Sequence, residues 1–393
     1  MQKKLIALAV ASLASGAAFA QTNVTMYGVA DVGYMYSTGD AGRVGNVPIP
    51  GTNTFSGIQS GLLAGSRLGF RGEETLGNGL KAVFTLEYAL NLDNNSGVGN
   101  TGGLNARQQY VGLSHAGWGT IALGRQYAPG YLATVNNDPF GGAIFEPQSF
   151  LTTQAGNSIT PNTLARWDNA ITYTSPNWGG FTGKAIYSFG ETSAAGGTFN
   201  DKLTDVSDNG KWGLGANFAT GPFNLDVVYH QRQSVTNGSL ISVPGLTGLF
   251  TANGKAVEEA YIGGSFDLKF VKLMASWQGQ NDKNAANLDN QFWQIGAVIP
   301  VLGSSNIHLG YSELYWDQGS QWVRGVKVKR PLNDDSQAAA LGWTTALSKR
   351  TTLYAGYVWV KNDKRSYAAG PVAGVGARGE DNNTFLAGIN HKF

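Results

Sequence analysis

The chain of 393 residues has no cysteine, which excludes a disulfide framework, a thiolate metal site and a cysteine nucleophile. Charge is scarce: 14% of residues are charged, against about 25% in an average domain. Beyond the first twenty residues there is no run of 18 or more apolar residues, so spanning helices are excluded. Net charge is nearly absent too. Of 28 basic residues, setting aside Lys3 and Lys4 leaves 26 against 26 acidic ones, which gives no support for a basic nucleic-acid-binding face. What is abundant is Gly, 55 residues, and aromatics, with 10 Trp, 16 Tyr and 18 Phe. That much apolar surface argues against disorder, and with so much glycine it points to many strands joined by tight turns.

Lys3 and Lys4 open the chain, an apolar run follows from Leu5 to Val10, and small residues lead to Ala18-Phe19-Ala20. A positive start, a short apolar centre and an Ala-x-Ala end describe a secretory signal peptide. Residues 1–20 are therefore expected to be cleaved, leaving one domain over 21–393. An N-terminal anchor is the weaker reading, because Ser12, Ser15 and Gly16 interrupt the run.

The rest of the chain alternates with period two. Ala82, Phe84, Leu86, Tyr88 and Leu90 fall on one face, and Lys81, Val83, Thr85, Glu87, Ala89 and Asn91 on the other. The split recurs from Phe223 (Phe223, Leu225, Val227, Tyr229), at Val271, Leu273, Ala275 and Trp277, and at Ile307, Leu309 and Tyr311. A soluble sandwich and a membrane barrel both alternate in this way. Three further features favour the barrel. The strands run about ten residues, enough to cross a bilayer when tilted. Tight connections, such as Leu76-Gly77-Asn78-Gly79 and Leu302-Gly303-Ser304-Ser305, alternate with long polar ones at 38–64 and 93–105. The last strand runs to the final residue, Phe393.

Sixteen strands are expected, near 23–36, 65–75, 80–92, 106–116, 120–127, 165–176, 181–190, 211–220, 223–234, 256–268, 271–282, 289–301, 306–317, 335–348, 350–362 and 381–393. In lipid an open edge would leave N–H and C=O groups unpaired, so the first strand must meet the last. Sixteen strands enclose an aqueous channel, where eight would be filled by side chains. The fold class is thus all-β, a 16-stranded antiparallel transmembrane β-barrel.

The sequence resembles the general diffusion porins, trimeric outer-membrane barrels of Gram-negative bacteria, of the β-proteobacterial type. The motifs that carry the likeness are Val24-Thr25-Met26-Tyr27-Gly28-Val29-Ala30-Asp31 and Ser66-Arg67-Leu68-Gly69-Phe70-Arg71-Gly72-Glu73-Glu74. Further matches are Arg107, Leu123-Gly124-Arg125-Gln126, Arg166 with Asn169 and Tyr173-Thr174-Ser175-Pro176, and Gly388-Ile389-Asn390-His391-Lys392-Phe393. The resemblance implies an outer-membrane homotrimer in lipid that passes ions and small hydrophilic solutes passively and needs no cofactor. It also implies a third loop, about Ala128 to Ala165, folded into the barrel. Asn137-Asp138-Pro139-Phe140-Gly141-Gly142 is similar to the P-E-F-G-G segment of that loop, with the acid before the proline.

Arg67 and Arg71, four apart, share the face opposite Leu68 and Phe70. With Arg107, Arg125 and Arg166 at matching family positions they are expected to form a fixed positive strip on the channel wall. Asp138 and Glu146 on the inserted loop are expected to face that strip across a narrow wet gap. Five arginines against two carboxylates imply a weak preference for anions. At the end of the chain Phe393, with Ile389 and Phe385 on the same face, resembles the signal read by the barrel-assembly machinery.

His115, His230, His308 and His391 match no metal spacing. The chain contains no H-E-x-x-H, G-x-S-x-G or G-x-x-x-x-G-K-[ST] motif, so no enzyme activity is expected. A substrate-selective channel stands second to the passive porin, and an outer-membrane adhesin or barrel enzyme third.

Overall fold

The computed structural model describes residues 23–40, 43–44, 47–48, 52–94, 105–190, 209–235, 254–284, 287–317, 320–323, 326–329, 335–363, 371 and 379–393. The expected signal segment, residues 1–20, lies outside them.

Strands β1 (Asn23–Asp40), β2 (Arg43–Val44), β3 (Val47–Pro48), β4 (Thr52–Ser60), β5 (Arg67–Gly77), β6 (Leu80–Ala89), β7 (Ala106–His115) and β8 (Gly119–Tyr127) lead to the longest described connection. That connection carries helices α1 (Pro129–Asn136) and α2 (Pro147–Gln154) and a single 3-10 turn, Thr163–Ala165. Then come β9 (Arg166–Thr174), β10 (Phe181–Ser188), β11 (Lys211–Thr220), β12 (Phe223–Val235), β13 (Lys255–Asp267), β14 (Lys272–Asp282), β15 (Asn290–Val301) and β16 (Ser305–Trp316). The chain ends with β17 (Ser320–Val323), β18 (Val326–Lys329), β19 (Ser336–Ala346), β20 (Thr351–Asn362) and β21 (Asn382–Lys392).

Each long strand pairs antiparallel with its neighbours in sequence, and β1 pairs with β21 from Val29↔Lys392 to Gly39↔Asn382. The result is a closed barrel of sixteen staves. Closure satisfies every edge that lipid would otherwise strand. β2–β3 and β17–β18 are small hairpins outside the wall.

One stave is built from two pieces, a feature that alternation did not reveal. β1 pairs with β5 over Asn23–Val29 and with β4 over Val32–Asp40. The sequence Thr-Asn-Thr-Phe-Ser-Gly reads as loop, and it becomes strand because β1 continues past the expected residue 36 to Asp40 and offers it a partner. At the break, the buried Asp31 carboxylate accepts from Leu63 N (3.3 Å), Ala64 N (3.2 Å), Tyr354 OH (2.8 Å) and Asn390 Nδ2 (2.7 Å). One side chain thereby fastens the turn at 60–66 to β20 and β21 across the seam.

One face of the wall exposes Leu86, Val111, Leu113, Ile121, Leu123, Leu273, Trp277, Ile295, Leu309, Leu341, Phe385 and Ile389. Each Leu or Ile sheltered from water yields about 1.5–3 kcal/mol, so this band is stable against acyl chains and not against water. The opposite face carries Thr85, Glu87, Asp226, His230, Glu259, Gln278, Gln280, Gln294 and Ser312, all buried. That face is not polar throughout. Phe292, Leu314, Val358, Val360 and Leu386 form an apolar cluster with Phe140, Phe145, Phe150 and Leu151 of the 128–165 connection.

Candidate functional site

The segment 128–165 starts and ends beside β8 and β9, yet its contacts reach round to β19. Asn137 Nδ2 donates to Asp226 (2.8 Å), Tyr261 OH to the Ala133 carbonyl (3.2 Å), and Gln278 Nε2 to the Ile159 carbonyl (3.2 Å). Ser158 N and Ile159 N donate to Glu259 at 2.7 and 3.0 Å, and Arg232 pairs with that same carboxylate at 2.9 Å. His230 joins the two limbs of the segment. Its Nε2 accepts from Gly130 N (3.2 Å), which leaves the proton on Nδ1 for Ser158 Oγ (3.0 Å). At the tip His308 Nδ1 donates to the Pro139 carbonyl (2.7 Å).

Wall glycines make room for these contacts. A Cβ on Gly215 would lie 2.6 Å from Pro129, one on Gly296 2.7 Å from Pro139, and one on Gly342 2.4 Å from the Phe140 ring. Part of the glycine excess is therefore the imprint of the docked segment on the wall.

Between the segment and the ends of β4, β6, β7 and β9 lies a cavity of about 280 Å³, lined among others by Ser66, Asn105, Arg107, Tyr131, Ile144 and Arg166. Strict alternation would put Arg107 on the face of Val111 and Leu113. A bulge opposite Glu87 and Tyr88 turns it the other way. There its Nε donates to Glu87 (2.8 Å) and its Nη2 to Tyr127 OH (3.0 Å). Tyr27 OH donates to the other Glu87 oxygen (3.0 Å). The rings of Tyr127 and Tyr131 stack at 3.8 Å, and the Arg166 guanidinium lies 5.8 and 5.7 Å from their centres while donating to Thr163 Oγ1 (3.0 Å). Burial raises the Tyr131 phenol, but Arg107 and Arg166 outweigh that and hold it below its ordinary value.

Arg67, opposite Val29 and Ala89, lies on this same face. Among the described residues neither Arg67 nor Arg166 has an acidic partner within ion-pair distance. Arg71 is also on this face but nearer the Gly77–Leu80 turn. It lies over the Tyr27 ring at 5.3 Å in a separate recess of about 300 Å³ with Thr25, Glu73 and Tyr110.

Three residues depart from the sequence-based expectation. Arg125 faces Gln109 in register, on the same side as Leu86. It pairs with Asp168 and donates to the Ala106 carbonyl (3.0 Å), so it braces the wall and does not line the cavity. Asp138 and Glu146 do not face the arginines either. Both are buried, because the loop turns them back on itself. Asp138 Oδ1 accepts from Phe140 N (2.9 Å) and its Oδ2 from Gly142 N, while Glu146 caps α2 through Ser149 N (3.1 Å). Burial pushes the Asp138 carboxyl up to about 7, and burial together with the nearby Asp138 pushes Glu146 well above the ordinary carboxylate range. Sequence reasoning missed Tyr27, Tyr127 and Tyr131. Tyr27 meets Glu87 through the plain register of β1, β5 and β6, whereas Tyr127 and Tyr131 join them through the bulge in the β8–β9 pairing and a helical turn, which have no period-two signature.

A family model described as Gram-negative porin matches residues 7–365. The chain is 30% identical to an outer membrane porin protein of Bordetella pertussis, with 94% of this chain and 98% of that protein covered. It is 29% identical to outer membrane porin protein 32 of Delftia acidovorans over the whole of both chains. An anion-selective porin from Comamonas acidovorans superposes with a TM-score of 0.71 at 26% identity, covering 95% of this chain and all of that one. The chain belongs to the Gram-negative porin family: it is a sixteen-stranded outer-membrane diffusion channel.

Proposed function

We propose that the polar face of the barrel lines a water-filled channel, that residues 128–165 narrow it, and that the narrowing favours small hydrophilic anions. The observation that carries this is the charge balance at the cavity. Arg107 is matched by Glu87, while Arg166 on the cavity lining, and Arg67 on the same face of the wall, have no acidic partner within ion-pair distance among the described residues. The loop carboxylates that would oppose them are turned away and buried. Guanidinium stays charged at any physiological pH, and low-dielectric walls focus its field on the passing ion. The likeness to an anion-selective porin supports the same sign.

No step of this transport needs a cofactor or a catalytic group, so the chain acts as a channel and not as an enzyme. The functional unit is a homotrimer, as in the family that the motifs resemble. The last residue serves assembly in two ways: as the signal for the barrel-assembly machinery and as a closing contact. Phe393 exchanges backbone hydrogen bonds with Gly28 (3.0 and 3.1 Å), and a Cβ on Gly28 would lie 2.2 Å from its ring. Purified protein in a planar bilayer with a KCl gradient tests the transport reading. A reversal potential of the sign set by chloride supports it, and one set by potassium refutes it.

A further inference from the structure

We infer that the lipid-facing wall over β14–β20 carries a binding site for one phosphorylated glycolipid. An acyl chain would lie in a groove on that face, and Glu313, Gln337 and Lys361 would take the headgroup.

The groove measures about 700 Å³, and its outer lining includes Leu273, Ile295, Ala297, Tyr311, Ala339 and Leu341. Ligand sites usually enclose about 300–1,000 Å³. Two alanines open the depression. Ala297 stands in register between Leu273 and Leu309, and Ala339 between Tyr311 and Trp359, so each is a small side chain between large ones. Two residues further along the strands the same face turns polar. There Trp293, Glu313, Gln337 and Lys361 follow one another in register across β15, β16, β19 and β20.

Glu313 is the anomaly in that row. It is buried, and it accepts from Tyr311 OH (2.5 Å) and from Tyr315 OH, its neighbours on the same face of β16. Among the described residues no lysine, arginine or histidine lies within ion-pair distance of it. A carboxylate on a lipid-facing wall without a countercharge is costly, and an ionisable group kept in such a place marks a function. Its two partners show what this carboxylate takes, namely hydroxyl groups. A sugar supplies more of them, and each carboxylate oxygen keeps a lone pair for one. Gln337 adds an amide that both donates and accepts. The Trp293 ring, packed 5.6 Å from that of Tyr311, adds a flat apolar surface beside the carboxylate. Lys361 is exposed, has no ion pair among the described residues and lies two strands from Glu313. That separation, about 10 Å, lets it hold a phosphate clear of the carboxylate. An ethanolamine headgroup would offer one ammonium and no hydroxyls, which matches this row less well than a phosphorylated sugar does.

The test uses the full-length folded protein in detergent. Native mass spectrometry counts adducts after titration with bisphosphorylated lipid A, with its dephosphorylated form, or with phosphatidylethanolamine. Wild type should hold one lipid A per chain and bind the other two at least fivefold more weakly. Glu313→Leu suits hydrocarbon better than the native residue and should keep the barrel folded by heat-modified gel mobility, yet weaken lipid A binding at least fivefold. Ala339→Phe, which fills the groove, should do the same. Lys361→Gln should erase the preference for the phosphorylated form. If wild type takes up no lipid A, or takes up phosphatidylethanolamine equally well, the proposal falls. Lipid A binding that none of the three variants changes places the lipid elsewhere and also overturns it.

Discussion

Replacing Arg166 by alanine isolates the charge that the account makes responsible for selectivity. This guanidinium lies over the Tyr127 and Tyr131 rings and has no acidic partner among the described residues, so its loss leaves no carboxylate stranded. A monovalent anion passing at 4 Å through water-like dielectric interacts with such a charge by about 1 kcal/mol, or about five-fold in local occupancy. Cations are repelled to a similar extent, so the anion-to-cation permeability ratio should fall several-fold on substitution. The drop should shrink in 1 M salt, where the Debye length is about 3 Å. The assay is reversal potential in a bilayer, compared with Glu87→Gln/Arg107→Gln, which removes a matched pair joined at 2.8 Å. That double variant should keep the wild-type potential. If it shifts the potential as much as Arg166→Ala does, or if Arg166→Ala does not shift it, unpaired charge is not the cause.

Gly342→Val would drive a side chain into the Phe140 ring, 2.4 Å from a Cβ there, at an overpacking cost of about 1–3 kcal/mol. Single-channel conductance should rise as the tip lifts, and adding Phe140→Ala should restore wild-type conductance. His230→Ala removes the pin between Gly130 and Ser158. With about 1 kcal/mol lost per hydrogen bond, current noise should increase while the barrel stays folded. Asp31→Ala strands the donors of Leu63, Ala64, Tyr354 and Asn390. At about 1–3 kcal/mol for each buried group left unsatisfied, the heat-modification temperature on gels should drop sharply, and an unchanged temperature would contradict the seam role.

Strand number, tight turns and lipid-facing positions were legible because each is written locally, in period two and in glycine. The exceptions are long-range. β4 is a strand only because β1 runs on to Asp40 to meet it. Arg107 reaches the cavity through a bulge that its own neighbours do not encode, while Arg125 faces the side of Gln109 in register. The burial of Asp138 and Glu146 was hidden for a different reason. A loop acid next to proline and glycine reads as exposed, and only the folded tip shows its carboxylate bound to its own backbone N–H groups. The apolar patch formed by Phe292, Leu314 and Val358 was not legible either, because the segment that covers it lies elsewhere in sequence.

The central claim, a water-filled and positively biased passage beside residues 128–165, is open to direct chemical probing because the chain has no native cysteine. Asn105→Cys, on the cavity lining, and Leu341→Cys, on the exposed apolar band, would be treated in bilayers with charged thiol-specific sulfonate and ammonium reagents. Asn105→Cys should lose current, faster with the anionic reagent than with the cationic one, while Leu341→Cys stays inert. Equal reaction at both positions, or faster modification of Asn105→Cys by the cation, would contradict the account.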